Sequence, residues 1–156
     1  GQVAARVECA AADLAVLDDA ERAGRGVLFV TPHLGAFDVA ARWYATRAPI
    51  TVLFKPPRKP WLRPLVAFAR DREAMRAVPP TLGGLRTLLR ALRARQAVGL
   101  LPDQVPSEGE GRWAPFFGEP AYTMTLPERL GQQTRASVGG ALRERGPRPP
   151  GWRLRV

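Results

Sequence analysis

Short apolar runs alternate with amphipathic stretches along this chain, and the alternation predicts its secondary structure. Buried strands are predicted over short, predominantly apolar runs at 27–31, 50–54 and 97–102, with a shorter candidate at 76–78. Amphipathic helices are predicted where apolar residues recur every three or four positions, at 2–23, 35–47 and 61–75. A fourth helix is predicted to begin at Thr81 as its N-cap and to align Leu82, Leu85, Leu89 and Leu92 on one face.

Strands that alternate with helices in this way indicate the α/β fold class, with a largely parallel or mixed central sheet covered by helices on both faces. A length of 156 residues, 46% of them hydrophobic, is enough for one domain with a substantial core. The biased segment "RERGPRPPG" at 143–151 is predicted to be a loop or hairpin connection. In such folds, ligands bind beyond the carboxyl ends of the strands.

The only histidine of the chain stands where that rule places a site. His33 lies in "TPHLGAFD", directly after the strand predicted over 27–31, and Asp38 follows five residues later. Asp38 would lie about one helical turn inside the next helix, where it can hold the ring N–H and fix its tautomer. The structural alternative is a histidine satisfied at a strand end and an aspartate favoured by the helix dipole. Spacing alone leaves both readings open.

Charge and cysteine content narrow the classes of partner. The formal net charge is +10, from 24 Lys and Arg against 14 Asp and Glu, which predicts nucleic acid, anionic lipid or an acidic protein as partner. Cys9 is the single cysteine, so we expect no intramolecular disulfide, and one Cys with one His is too few for a zinc site. No signal-peptide pattern is visible, nor any apolar run near the roughly 18 residues of a membrane span.

Four motifs, the first of which contains His33 and Asp38, together resemble those of one protein family. "PHLGAFD", "VLFKPPRKPWL", "GLLPDQVPSEGEGRWAPFFGEPAYTMT" and "RLGQQTRASV", in this order, resemble the late lauroyl and myristoyl acyltransferases of lipid A biosynthesis, within the lysophospholipid acyltransferase group. The resemblance implies a glycerolphosphate-acyltransferase-like fold. It also implies that residues 1–156 are a single acyltransferase domain, a fragment that lacks an N-terminal membrane anchor and C-terminal helices.

The activity implied by the resemblance is transfer of a fatty acyl chain from acyl-carrier protein to a hydroxyl of an anionic lipid A precursor. No cofactor and no metal are expected, and the reaction would take place at the cytoplasmic face of the inner membrane, against the membrane surface. His33 would be the general base and Asp38 its orienting acid. No activated serine or cysteine nucleophile is visible in the sequence, so direct transfer without an acyl-enzyme is expected.

The resemblance also indicates substrate-binding residues: Lys55, Arg58, Arg70, Arg72 and Asp103. Lys55 matches a basic position that the family keeps after its second strand, and Arg58 lies close behind it, where phosphates or sugar carboxylates can bind. Arg70 and Arg72 match an arginine-rich stretch that would serve the substrate or the tetrahedral oxyanion. Asp103 matches a family acid, which we expect to bind substrate or, by preference, to brace an arginine.

Two alternatives remain at this stage. The acceptor can be a lysophospholipid or another glycolipid, and a different class altogether is a basic nucleic-acid-binding module. Nucleic acid is not expected as a partner, because the arginines are scattered among apolar helices and no helix-turn-helix or RNA-recognition motif is present. The aromatic residues Trp61, Trp113, Phe116 and Phe117 are expected in the core, with an acyl-channel wall or bilayer contact as the alternative.

Overall fold

A central sheet of five parallel strands organises the molecule, as the alternation of strands and helices predicts. The computed structural model describes residues 7–34, 37–55, 59, 61, 74–145 and 152–156. Its elements are β1 (Val7–Cys9), α1 (Ala11–Arg22), β2 (Val27–Val30), α2 (Phe37–Tyr44), β3 (Ile50–Leu53), β4 (Met75–Val78), α3 (Leu82–Arg93), β5 (Ala97–Leu100), β6 (Gly111–Phe116), β7 (Glu119–Met124), α4 (Leu126–Thr134), β8 (Ser137–Gly140), β9 (Leu142–Arg145) and β10 (Trp152–Arg155). The strand order of the central sheet is β4-β3-β5-β2-β8, and every pair in it is parallel.

Helices cover both faces of this sheet, which confirms the predicted fold class. Alternate residues of β2 point to opposite faces, so Phe29 packs with Leu17 of α1 in one core cluster. Leu28 packs instead with Leu88 of α3 in a second cluster, together with Leu130 of α4. Leu28 and Leu88 are completely buried, and each such side chain contributes about 2–3 kcal/mol of hydrophobic stabilisation.

A smaller sheet of β1, β10 and β9 flanks α1, and it corrects the prediction for the first helix. Val7–Cys9 is a strand and the helix begins only at Ala11, whereas the sequence predicted one helix over 2–23. The reason is long-range pairing, because β1 runs parallel to β10 with Val7 opposite Trp152. Apolar periodicity within 22 residues cannot show a partner so far along the chain.

The helix predicted over 61–75 falls mostly outside the described residues. Its last residue, Met75, is not helical but opens β4, where it pairs with Ile50 of β3. The strand predicted at 76–78 is therefore confirmed, with one residue added. Of the loop or hairpin connection predicted at 143–151, residues 143–145 belong instead to β9, which pairs antiparallel with β10, and 146–151 lie outside the described residues.

The cap of α3 is confirmed, but its predicted apolar face is wrong at one end. The Thr81 hydroxyl oxygen accepts a hydrogen bond from the Gly84 backbone N–H at 3.2 Å. Leu92 is buried as expected, whereas Leu82 is 75% exposed. The buried stripe instead begins at Gly84, because that glycine lets the first turn of the helix approach the backbone of Pro79.

The strands β6 and β7 form a two-stranded hairpin that the sequence analysis did not predict. Phe117 and Gly118 form its turn with φ angles of 50° and 88°, the left-handed geometry of the favoured two-residue hairpin turn. The expectation that the aromatic residues belong to the core is wrong, because Trp113 and Phe117 are 70% and 94% exposed. Their hairpin pairs with no other described strand.

The contact of Gly84 with Pro79 yields a stability prediction. A Cβ at Gly84 would overlap the Pro79 carbonyl oxygen, while a Cβ at Gly83 would find its nearest neighbour, the Thr81 hydroxyl, at 3.9 Å. We expect Gly84→Ala to lower the free energy of unfolding by about 1–3 kcal/mol, as overpacking does. Gly83→Ala, the matched control, should raise it by up to about 1 kcal/mol. Denaturant titration measures both, and equal effects of the two substitutions would contradict the packing at Gly84.

Candidate active site

Three of the predicted site residues follow strands that are neighbours in the sheet. His33 follows β2, Lys55 follows β3, and Asp103 follows β5, which lies between the other two in the order β3-β5-β2. Because these strands are parallel, their carboxyl ends lie at one edge, where ligands of such sheets bind. The structure therefore brings the histidine, a lysine and a carboxylate to the same edge.

Asp103 holds His33 through both of its carboxylate oxygens. Its Oδ2 accepts a hydrogen bond from the His33 backbone N–H at 2.7 Å, and its Oδ1 lies 2.6 Å from the His33 Nδ1. The pairing follows from strand register, because Val30 of β2 lies opposite Leu100 of β5 and each site residue comes three positions later. One contact thus fixes the backbone and the other fixes the ring.

The charge of Asp103 decides which ring nitrogen carries the proton. Partial burial, the largest single influence, raises the Asp103 pKa, but the hydrogen bonds from the His33 backbone and ring, a further backbone hydrogen bond and the charge of His33 together outweigh it and leave the pKa below its ordinary value of 3.8. An ionised carboxylate only accepts hydrogen bonds, so Nδ1 of His33 is the donor. The stability contributed by the pair is complete above about pH 4 and is lost as the pH falls through the lowered pKa.

The contact between Asp103 and His33 is a feature that the sequence analysis missed. Asp103 was expected to bind substrate or to brace an arginine, whereas its partner in the described part of the chain is His33. A usable signal was present, since both residues lie three positions beyond the last residue of a strand. That signal becomes informative only once β2 and β5 are known to be neighbours.

Asp38 lies in the first turn of α2 and borders the same cavity as His33. The position of its helix is set by contacts with α1. The Tyr44 hydroxyl donates to Glu21 at 3.0 Å, and Arg47 donates to Asp18 at 2.6 Å. Burial, reinforced by the bond to Glu21, raises the pKa of Tyr44, so the phenol stays protonated and keeps its role as donor.

A cavity opens beside His33 and Asp38. Its volume of about 870 Å³ is within the usual range of ligand pockets. His33, Asp38 and Lys55 border it at the edge of the sheet. Deeper in, its walls are apolar side chains from α1, β2, β3 and β10, among them Leu17, Phe29, Val52 and Leu154. A molecule with a polar end at the sheet edge and a long apolar tail fits such a cavity.

The remaining predicted residues differ in what the structure describes of them. Arg58, Arg70 and Arg72 lie outside the described residues. Cys9 lies in β1, where burial first and Asp13 second raise its pKa against the opposing effect of Arg47, so the thiol is a poor nucleophile. It is not one of the described residues that border the cavity.

The described residues contain neither a metal site nor a membrane-spanning helix. Within the ranges described above, no three His, Cys, Asp or Glu side chains come together as a metal site. No helix in the same part of the chain has both the length and the apolar character needed to cross a membrane.

The proton position on His33 is directly testable, because the chain has a single histidine. We expect nitrogen-15 NMR at alkaline pH to show the neutral tautomer with its proton on Nδ1. Asp103→Ala should shift the population toward the Nε2-protonated form that free imidazole side chains prefer, while the surface variant Asp19→Ala should leave the spectrum unchanged. An Nε2-protonated ring in the unsubstituted protein would contradict the geometry.

Comparison with known proteins identifies a family for this chain. No curated protein matches the chain at a significant level. The family model described as bacterial lipid A biosynthesis acyltransferase matches residues 1–155, nearly the whole chain. The cavity and the histidine at the sheet edge are compatible with an acyl-transfer enzyme. On the extent of this match, the chain belongs to the family of bacterial lipid A biosynthesis acyltransferases.

Proposed function

We propose that the protein transfers a fatty acyl chain from the thioester of acyl-carrier protein to a hydroxyl of an anionic lipid A precursor. His33 serves as the general base in this proposal. The observation that carries it is the contact of 2.6 Å between His33 Nδ1 and an ionised Asp103, at the mouth of an apolar cavity. A proton held on Nδ1 leaves Nε2 as the basic nitrogen of the neutral ring.

The reaction needs a base because an alcohol is a weak nucleophile toward a thioester. As the acceptor oxygen attacks the thioester carbonyl, its proton passes to Nε2 of His33 and a carbon–oxygen bond forms. The tetrahedral intermediate then expels the thiolate, which takes the proton from the imidazolium, so the carbon–sulfur bond breaks. The products are an ester of the acceptor and the free thiol of the carrier protein.

Asp103 supports this cycle electrostatically. While His33 carries the second proton, the carboxylate at 2.6 Å stabilises the positive charge and holds the ring in place. Asp38, the orienting acid that the sequence predicts, borders the same cavity from α2, and its contribution to holding His33 is proposed alongside that of Asp103. Direct transfer is preferred over an acyl-enzyme, because the raised pKa of Cys9 leaves its thiol unreactive.

The cavity and the charge support the two substrates. The apolar walls around Leu17 and Phe29 suit the tail of an acyl chain, while Lys55 at the mouth suits a phosphate of the acceptor. A net charge of +10 favours both an acidic carrier protein and an anionic lipid. We propose the cytoplasmic face of the inner membrane as the location, because the acceptor is a membrane lipid.

The role of His33 is tested by mass spectrometry of the lipid product formed from an acyl-carrier-protein donor and a lipid A precursor. His33→Ala should slow turnover about 100-fold or more, the scale of a lost general base, while the protein remains folded. Cys9→Ser is the control, and it should stay active with no acyl group on either protein. Turnover of the alanine variant at the wild-type rate would refute the proposed base. A product formed only with a lysophospholipid acceptor would refute the proposed acceptor.

The role of Lys55 predicts a selective change in the Michaelis constants. Lys55→Ala should raise the constant for the phosphorylated acceptor about tenfold and leave that for the acyl donor nearly unchanged. Arg25→Ala removes the same charge from the opposite edge of the sheet, just before β2, and should change neither constant. Higher ionic strength should weaken acceptor binding of the unsubstituted protein. A loss confined to the donor would instead place Lys55 at the carrier-protein surface.

A further inference from the structure

The exposed apolar side chains of this protein are unevenly distributed. Ten large apolar side chains are exposed among the described residues, and eight of them follow the carboxyl ends of parallel strands. These eight are Leu34 after β2, Trp61 after β3, Leu82 after β4, Leu142 after β8, and Val105, Trp113, Phe116 and Phe117 after β5. The same edge of the sheet carries His33 and the mouth of the cavity.

The hairpin of β6 and β7 connects the cavity with the most exposed of these side chains. At its base, the Tyr122 hydroxyl accepts hydrogen bonds from the backbone N–H groups of Gly109 and Gly111 at 3.0 and 3.2 Å. Glu110 and Met124, also at the base, border the cavity. The hairpin is therefore anchored where the substrate site opens, and its turn is its most distant part.

The tip of the hairpin exposes two phenyl rings. Phe116 and Phe117 pack edge to face with ring centroids 4.7 Å apart, and 64% and 94% of their surfaces remain exposed. Exposure of two phenylalanines to water is unfavourable. A pair of exposed aromatic rings on a protruding tip therefore indicates an interaction site, where a binding partner buries the rings. Neither ring lines the cavity as far as the described residues show.

The edges of the hairpin disfavour another protein strand as the partner. Pro115 and Pro120 lie directly opposite each other in the two strands. Neither has a backbone N–H to offer, and prolines on exposed strands prevent the addition of a further strand. A second copy of this chain would therefore gain little by extending the two-stranded sheet.

The two lysines near this edge favour an anionic lipid surface. Both lysines of the chain, Lys55 and Lys59, follow β3, and the Lys59 ammonium lies 5.8 Å from the centre of the Trp61 ring. Cationic side chains next to exposed tryptophan and phenylalanine are typical of surfaces that sit at the boundary between headgroups and acyl chains. Juxtaposed basic residues add attraction to anionic headgroups.

We propose that the tip of the hairpin, Phe116 and Phe117, inserts into a phospholipid bilayer that carries anionic headgroups, and that this contact directs the cavity mouth toward the membrane. Trp113 lies nearer the base and accompanies the insertion at headgroup depth. The inference rests on the proposed function only for the idea that the acceptor is delivered from the bilayer. Docking itself requires no reaction.

Quenching of tryptophan fluorescence tests the insertion. The probe is vesicles of phosphatidylethanolamine and phosphatidylglycerol with brominated acyl chains and no acceptor, mixed with the purified protein. The difference in quenching between the unsubstituted protein and Trp113→Phe is the contribution of Trp113 and reports on the hairpin. We expect this contribution to be large. The double variant Phe116→Ser with Phe117→Ser should lose most of it and bind vesicles about tenfold or more weakly, since each removed ring gives up buried apolar area. Val16→Ser, an exposed apolar position on α1, is the matched control and should behave like the unsubstituted protein.

The outcomes separate docking from catalysis. Equal Trp113 quenching in the double serine variant and the unsubstituted protein would overturn the insertion. A dimer that forms in solution and is lost in that variant, without vesicle binding, would overturn it in favour of a second copy. Turnover of a water-soluble, short-chain acceptor should be the same in the variant as in the unsubstituted protein. If neither protein turns that acceptor over while quenching persists, the proposed function fails and the membrane contact stands.

Discussion

The parallel pairing of β2 with β5 is the contact on which the rest of this molecule depends. Val27 faces Ala97 and Val30 faces Leu100, and the ladder continues past the strands where the Thr31 N–H donates to the Leu100 carbonyl at 3.0 Å. The two chains leave the sheet in matched register. The imidazole of one and the carboxylate of the other therefore meet three residues later. Because Asp103 contacts both the backbone and the ring of His33, the sheet fixes the position of this pair.

The edge of the sheet that carries the polar site residues also opens into the apolar cavity. The cavity extends from His33 into the core between the sheet and the first two helices, so a bound chain would run along the buried face of β2 and β3 while its reactive end stays at the edge. The segment after β5 then serves two regions. Its first residues, including Asp103, contact the site, and its hairpin exposes Phe116 and Phe117. One stretch of chain therefore carries both the carboxylate that holds the proposed base and the residues of the proposed membrane contact.

The sequence predicted the parts of this arrangement that depend on local order. Apolar runs located four of the five central strands, all but β8, and Thr81 located the start of α3, because burial and capping leave recognisable patterns in a short window. His33 and its strand end were found in the same way. Local order could not supply the position of β5 between β2 and β3, so the partner of Asp103 was missed. It also could not distinguish aromatic residues in a core from those on a protruding hairpin such as Phe117, nor reveal that Val7–Cys9 pairs with β10.

The central claim is that Asp103 acts through His33, and a double-mutant cycle on turnover tests it most directly. The measured quantity is the rate of acyl transfer at saturating donor and acceptor for the unsubstituted protein, His33→Ala, Asp103→Ala and the protein with both substitutions. If the carboxylate works by holding the histidine, Asp103→Ala slows turnover when His33 is present and has no effect once His33 is gone, so the double variant is as slow as His33→Ala alone. Losses that multiply in the double variant would contradict the account, because they would mean that Asp103 acts on the substrate independently of His33.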